Sequence, residues 1–221
     1  MCGRFVLEIS PEFITKTYGL SNIPELSPRY NIAPNQPIAV VRQQNRGDRE
    51  LAMLQWALVP SWTKEPSIGQ KMINARSETV HEKPSFRQAF RARRCIIPAS
   101  GFYEWEKLGK EKIPHYIHLR DGDLMSLAGL WERWKSPEGH ELETCTIITT
   151  TANSLVKRLH VRMPVILHRA EFDLWLNTDT HDVKGLTELF HPCPSDQLEE
   201  YVVTKAVNNP NNNSPDCIVP I

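Results

Sequence analysis

Cys2 is the residue whose position carries the most specific chemistry. Removal of Met1 ahead of this small residue leaves a 1,2-aminothiol, a free α-amine and a thiol on adjacent carbons. An α-amine with a pKa of about 7.7 to 8.0 is partly unprotonated at neutral pH and attacks an aldehyde to give a Schiff base. The neighbouring thiol then closes a thiazolidine ring, whose second bond makes it far harder to hydrolyse than an imine. Gly3 and Arg4 follow at once, offering close backbone approach and a fixed positive charge beside the nucleophile. A small second residue is common, so Cys2 by itself carries little weight, and the residues that accompany it decide.

Those residues form a series. M-C-G-R-F opens the chain, followed by Y-N-I-A-P at Tyr30 to Pro34, I-N-A-R-S-E at Ile73 to Glu78, G-F-Y-E-W at Gly101 to Trp105 and H-V-R-M-P at His160 to Pro164. In these motifs and their order the chain resembles the SRAP family, the SOS response-associated peptidases, which includes abasic-site processing proteins. The resemblance implies that Cys2 is the nucleophile, that Asn74 and His160 sense and position an abasic sugar, and that Glu104 stabilises or protonates it. It implies a protein that senses abasic sites in single-stranded DNA and crosslinks to them through the Cys2 amine and thiol, shielding the lesion in the DNA-damage response.

The chemistry of these side chains agrees. Abasic deoxyribose in its open form presents an aldehyde. Opening the sugar and expelling hydroxide from a carbinolamine both need a proton moved, so an acid or base tuned near neutral pH is required. Glu104 and His160 are suitable types, and Asn74 can donate to a sugar oxygen. Each also has a purely structural reading. Glu104, between Tyr103 and Trp105, can be the solvent-facing residue of an alternating strand. His160 can cap a helix ending at Lys157 to Leu159, and Asn74 can sit in a turn.

For the DNA backbone the candidates are Arg4, Arg76 and Arg162, each beside or two residues from a proposed site residue, where a guanidinium can fork onto a phosphate. Internal salt bridges are the alternative. Trp62 and Pro34 resemble family positions that lie against bases beside the lesion, and stacking there is worth about 1 to 3 kcal/mol per base. The family often carries a second aromatic after the position of Trp62. Here it is Thr63, which weakens any wedge between duplex and single strand. Trp56 reads as core. The run Arg87, Arg91, Arg93, Arg94 can track DNA or form a solvated helix face. His115 and His118, three apart on a strand, point to opposite faces and make no metal pair. No metal or cofactor is expected.

These residues need a scaffold, and the patterning predicts a mostly antiparallel α+β fold, while the resemblance implies one compact SRAP-like domain over residues 1–221 with a barrel-like β core. A helix is capped by Ser10 with Pro11 at its first position, places Phe13, Ile14 and Tyr18 on one side and stops at Gly19. A second follows Ser85, with Phe86, Ala89 and Phe90 inward and Arg87, Arg91 and Arg94 outward. A third covers Ala170 to Leu176. Strands are predicted at Ile38 to Arg42, Leu51 to Trp56, Cys95 to Pro98, Gly101 to Trp105, His115 to Leu119, Leu124 to Trp131, Thr144 to Thr151, Pro164 to Leu167 and Tyr201 to Val207. The stretch N-N-P-N-N-N-S-P reads as a surface loop before a last strand at Cys217 to Ile221.

The bulk numbers bound the rest. In 221 residues, 26 Lys+Arg balance 26 Asp+Glu, so a nucleic-acid partner must be held by a local patch and not by overall charge. Seventeen prolines suit short strands and turns. Five cysteines, an odd number without a C-x-x-C pair, should be thiols. Neither a signal h-region nor a run of roughly 20 apolar residues is present, so a cytoplasmic protein without a membrane partner is expected, as a monomer. Two rival readings use the same residues: a thiol peptidase or autopeptidase built on Cys2, His160 and Asn74, and a non-covalent single-strand DNA-binding module.

Overall fold

Short β-branched and aromatic runs separated by proline, glycine and asparagine become, among the described residues, twelve strands arranged as two sheets. The structure is a computed structural model that describes residues 2–23, 25–44 and 47–221. In chain order the strands are β1 (Phe5–Leu7), β2 (Arg29–Ile32), β3 (Pro37–Gln43), β4 (Arg49–Trp56), β5 (Asn74–Arg76), β6 (Arg94–Ala99), β7 (Gly101–Leu108), β8 (Glu111–Leu119), β9 (Met125–Lys135), β10 (Glu141–Thr151), β11 (Arg162–Pro164) and β12 (Leu198–Val202). The helices are short: α1 (Pro11–Tyr18), α2 (Arg87–Ala92), α3 (Ser154–Lys157), α4 (Phe172–Leu176) and α5 (Val183–Glu188).

The first sheet runs β12-β8-β7-β1-β2, antiparallel throughout. In the second, β4, β3, β6, β9 and β10 close on themselves, because β10 pairs both β9 and β4. The result is a small barrel, whose interior is filled by side chains. The long strand β10 does more than close it. Beyond the β9 and β4 ladders it continues to pair β5 on one side and β11 on the other, and these two short strands carry Asn74 and the residues after His160. The ladders of β10 with β4 and β5 are parallel, the exception to the antiparallel rule.

One buried cluster joins the two sheets, from Val40, Leu54 and Ile97 of the barrel to Phe102, Ile117 and Leu198 of the open sheet. Phe5 meets Trp56 edge to face at 5.2 Å, where β1 touches the barrel. The other face of the open sheet, with Tyr103 and Tyr116, is covered by Val203, Val207 and Cys217 of the carboxy-terminal segment. The sheet is therefore covered on both sides. Gly101 opens β7 because a Cβ there would lie 2.5 Å from the Ile117 carbonyl oxygen.

Helix α1 forms as its sequence dictates: Ser10 Oγ accepts from the Phe13 amide at 3.3 Å, Pro11 starts the helix and Gly19 ends it at φ 64°. Such a cap contributes about 1 kcal/mol. Ile14 and Tyr18 are buried, whereas Phe13 is exposed. Helix α2 also forms, but Arg94 is not outward: it is 1% exposed at the start of β6. The helix ends at Ala92, and the chain reverses there. The Arg94 guanidinium then turns inward to donate to the carbonyls of Phe90, Arg91, Trp175 and Asn177, and burial pushes its pKa down to about 10.

Three strand ends differ from the pattern. The segment after Val202 leaves the sheet for a 3-10 turn at Lys205–Asn208, and Cys217 sits in a 3-10 turn at Pro215–Ile218 with only a Val203–Pro220 bridge. Asn31 is responsible for much of this: its amide donates to the carbonyls of Val207, Asn209 and Asn212, tying down the asparagine-rich loop. After Pro164, β11 gives way to a single bridge at Ile166. Each of the five cysteines is a buried free thiol. No helix among the described residues is long and apolar enough to cross a membrane.

Candidate active site

At the head of β1 the structure brings Cys2 and Asn74 together. Cys2 is buried, and its carbonyl oxygen accepts a hydrogen bond from the Asn74 side-chain amide at 2.9 Å. Trp56 braces both strands, packing on Phe5 and donating through Nε1 to the Ile73 carbonyl at 2.8 Å. Asn74 is thus a strand residue, held in the ladder with Ile147. Its Oδ1 is buried and has no hydrogen-bond partner among the described residues. Burial first, and then the charge of Glu104, push the Cys2 thiol pKa far up, while the Arg4 backbone N–H opposes them. Met1, whose removal the aminothiol chemistry requires, lies outside the described residues.

Glu104 sits two positions along β7 from the core residue Phe102, on the same face, and is 5% exposed. The solvent-facing alternative fails because Tyr103 and Trp105 take the other face, which the carboxy-terminal segment covers. Desolvation raises the Glu104 pKa. Its carboxyl lines a cavity of about 650 Å³ together with His160, which enters from the turn between α3 and β11. The Arg162 backbone N–H donates to His160 Nδ1 at 3.0 Å. A neutral His160 with Nδ1 accepting carries its proton on Nε2. Burial, with Lys107 and Arg162 adding, lowers the His160 pKa. A carboxyl with a raised pKa and an imidazole with a lowered one line the same cavity, so their environments draw the two proton affinities towards each other.

The three candidate arginines are differently placed. Arg4 points under the sheet, with Nη1 donating to Asn31 Oδ1 at 2.7 Å and to the Val207 carbonyl at 2.9 Å. Arg162 forks onto Glu78 at 2.6 and 3.0 Å and also donates to the Thr149 carbonyl. Arg76 is exposed on β5. Trp62 is 58% exposed, with its indole N–H to the Pro84 carbonyl at 3.4 Å, and Pro34 is half-buried in the turn next to Asn35, whose φ is 67°. Trp56 belongs to the core. The basic run does not form one patch: Arg87 and Arg91 are exposed, Arg93 pairs with Glu132 at 2.8 Å, and Arg94 is internal.

Several cavity residues escape sequence reasoning. Lys107, Lys112 and Arg158 bring positive charge, Glu106 a second carboxylate and Asn208 an amide that receives the Trp105 indole N–H at 2.7 Å. Glu106 had a signal, the two-residue period from Glu104 along one strand face. Asn208 and Arg158 had none, since they arrive from distant loops.

Comparison with known proteins follows the same outline. The family model described as SOS response associated peptidase (SRAP) matches residues 1–210. The chain is 46% identical over 222 residues to abasic site processing protein YoqW of Bacillus subtilis (strain 168), covering 99% of each. It is 31% identical over 265 residues to abasic site processing protein HMCES of Xenopus tropicalis, covering 100% of this chain and 78% of that one. A crystal structure of a protein from Bacteroides thetaiotaomicron, 28% identical, superposes over 100% of both chains with a TM-score of 0.89.

Proposed function

The chain belongs to the SOS response associated peptidase family, and from that premise we propose that it captures abasic sites in single-stranded DNA as a covalent thiazolidine on Cys2. The observation that carries this reading is that Cys2 has its carbonyl held by Asn74 and lies within reach of the Glu104 charge, while Glu104 and His160 line one cavity. Relatives named for abasic site processing give the substrate class.

The steps follow from the side chains. Once Met1 is gone, the Cys2 amine attacks C1′ of the ring-opened sugar, forming a carbinolamine. A proton from Glu104 or His160 lets its hydroxyl leave as water, giving an iminium. The Cys2 sulfur then adds to C1′ and releases its proton to the neighbouring base, so the net loss is one water. Asn74 holds the Cys2 carbonyl and so aims both nucleophilic atoms. The iminium formed by the amine is the electrophile that the sulfur requires, so the amine acts first and the sulfur second. Arg76 and Arg162 hold flanking phosphates, while Trp62 and Pro34 receive unpaired bases. Arg4 braces the loop beneath.

A thiol peptidase uses the same residues, but it needs a thiolate, with the cysteine pKa lowered by a cationic neighbour. The surroundings of Cys2 act in the opposite direction. Intact mass spectrometry of the Met1-free protein with a single-stranded oligonucleotide carrying one abasic site separates the readings. Capture gives a heat-stable adduct of protein plus strand minus one water, lost in Cys2→Ala and in a Met1-retained form. A mature Cys2 terminus that forms no adduct, or that cleaves peptides through its thiol with the amine blocked, overturns the proposal. Equal affinity for intact and abasic strands without adduct would make it a binding module.

A further inference from the structure

Behind the cavity lies an ionisable cluster that the capture steps do not use. His115 is the direct cross-strand partner of Glu104 and, like it, is 5% exposed. Its Nδ1 lies 2.5 Å from Glu200 Oε2, and the Glu200 side chain is 11% exposed. The other Glu200 oxygen pairs with the Arg158 guanidinium. His115 Nε2 lies 3.6 Å from Glu106 Oε2. Arg158 and Glu106 line the same cavity as Glu104 and His160.

Within the cluster His115 is buried and the Glu200 side chain largely so, while Arg158 and Glu106 reach solvent, and a buried histidine–carboxylate contact is expensive enough that apolar residues of similar volume commonly serve stability better. Its location suggests what it does instead. Glu104 stands on β7, in the middle of a sheet. His160 stands on a turn after the four-residue helix α3, where the backbone is held by the His160 amide to the Val156 carbonyl at 2.9 Å. Arg158 is two residues before His160, and Glu200 is on β12, joined through β8 to β7. The chain Arg158–Glu200–His115 therefore links the His160 turn to the strand row that contains Glu104. A carboxylate can only accept, so His115 donates its Nδ1–H to Glu200 and orients it towards Arg158, while burial lowers the His115 pKa, with Glu106 opposing and Arg158 adding.

We propose that His115, Glu200 and Arg158 are positioning residues that hold His160 in register with Glu104 across the cavity, setting the rate of covalent capture without touching the sugar. This rests on the capture reading for the roles of Glu104 and His160. Proton transfer requires a well-fixed donor and acceptor, and a misplacement of about 1 Å can cost on the order of 100-fold in rate.

The test uses Met1-free full-length protein, with single-turnover adduct formation at saturating abasic single strand, anisotropy binding of an intact strand, and the His160 ring signals by NMR. Glu200→Gln and Arg158→Ala should each slow capture by about tenfold or more with intact-strand affinity unchanged, and Arg158→Lys should recover part of the loss. In a His160→Ala background Glu200→Gln should have little further effect, and in the wild-type background it should shift and broaden the His160 ring signals. An undiminished rate in a folded Glu200→Gln protein, full additivity with His160→Ala, or a loss confined to DNA affinity would overturn the positioning role. If the unmutated protein forms no adduct, capture itself fails. The His160 spectrum then decides the clamp separately, an unchanged spectrum in Glu200→Gln ruling it out.

Discussion

Asn74 donates its side-chain amide to the Cys2 carbonyl at 2.9 Å, so β5 holds the head of β1 across 72 residues of sequence. Asn74→Asp keeps the size but replaces the donor with an acceptor and sets a negative charge against the Cys2 carbonyl. Adduct formation should fall by about 100-fold, the range for losing one preorganised donor, and single-turnover mass spectrometry on an abasic strand reads it. A rate within twofold of the parent would remove Asn74 from the site.

Glu104 has a folded-state pKa raised by desolvation, which fixes a sign for stability. A raised pKa means that the folded protein binds this proton more tightly than the unfolded chain, so the contribution is present at low pH and lost as pH rises through the folded pKa. Glu104→Gln should therefore be the more stable protein near pH 7 to 8, with the gap closing towards pH 4. Urea midpoints across that range provide the check. The same variant should capture abasic DNA much more slowly, separating a stability gain from an activity loss.

Glu78 occupies the fork of Arg162, and Arg162 holds its carboxyl below the usual range. A DNA phosphate on Arg162 must displace that carboxylate. Glu78→Gln should tighten binding of intact single strands and steepen the plot of log affinity against log salt by about one phosphate contact, near 0.7 in slope. Anisotropy at several salt concentrations measures it, and an unchanged slope would mean that Arg162 serves only the fold.

Trp62 offers its indole to solvent, 58% exposed. Replacing it with alanine should weaken single-strand binding by about 1 to 3 kcal/mol if a base stacks there, with the thermal midpoint unmoved. Equal affinities for the Trp62→Ala protein and its parent would assign the exposed ring elsewhere.

Arg94 is a stability test. Its guanidinium serves four backbone carbonyls, and Arg94→Ala leaves the buried ones of Phe90 and Trp175 without this donor, which should cost about 3 kcal/mol or more. Chemical denaturation should show it, and Arg94→Met should not restore the loss, because volume without donors leaves the carbonyls unpaired. Full stability in Arg94→Ala would mean that water replaces the guanidinium.

Local rules account for what could be read without coordinates. The Ser10, Pro11 and Gly19 signals define α1 because capping depends on neighbouring backbone geometry alone. β-branched and aromatic runs place β3, β4 and β6 to β10 for the same reason, whereas the short strands β1, β2 and β5 carry no such run and are set by their neighbours in the sheets. The strand ends after Val202 could not be read this way, since Asn31, far earlier in the chain, supplies the donors that pull that segment off the sheet. Arg94 was misread because a helical period was continued past the residue where the backbone turns.

The sequence by itself determined the proposed nucleophile, Cys2 directly behind Met1, and the motif order, because residue identity and order are covalent facts of the chain. Tertiary structure alone decided that Glu104 faces a cavity, that His160 shares it, that Arg162 is held by Glu78 and that His115, Glu200 and Arg158 stand behind. Those relationships depend on which face of a strand is covered and on which distant carboxylate comes within about 3 Å of a cation. Burial and Coulomb interaction act through space, and the spacing of residues along a chain does not encode distances across a fold.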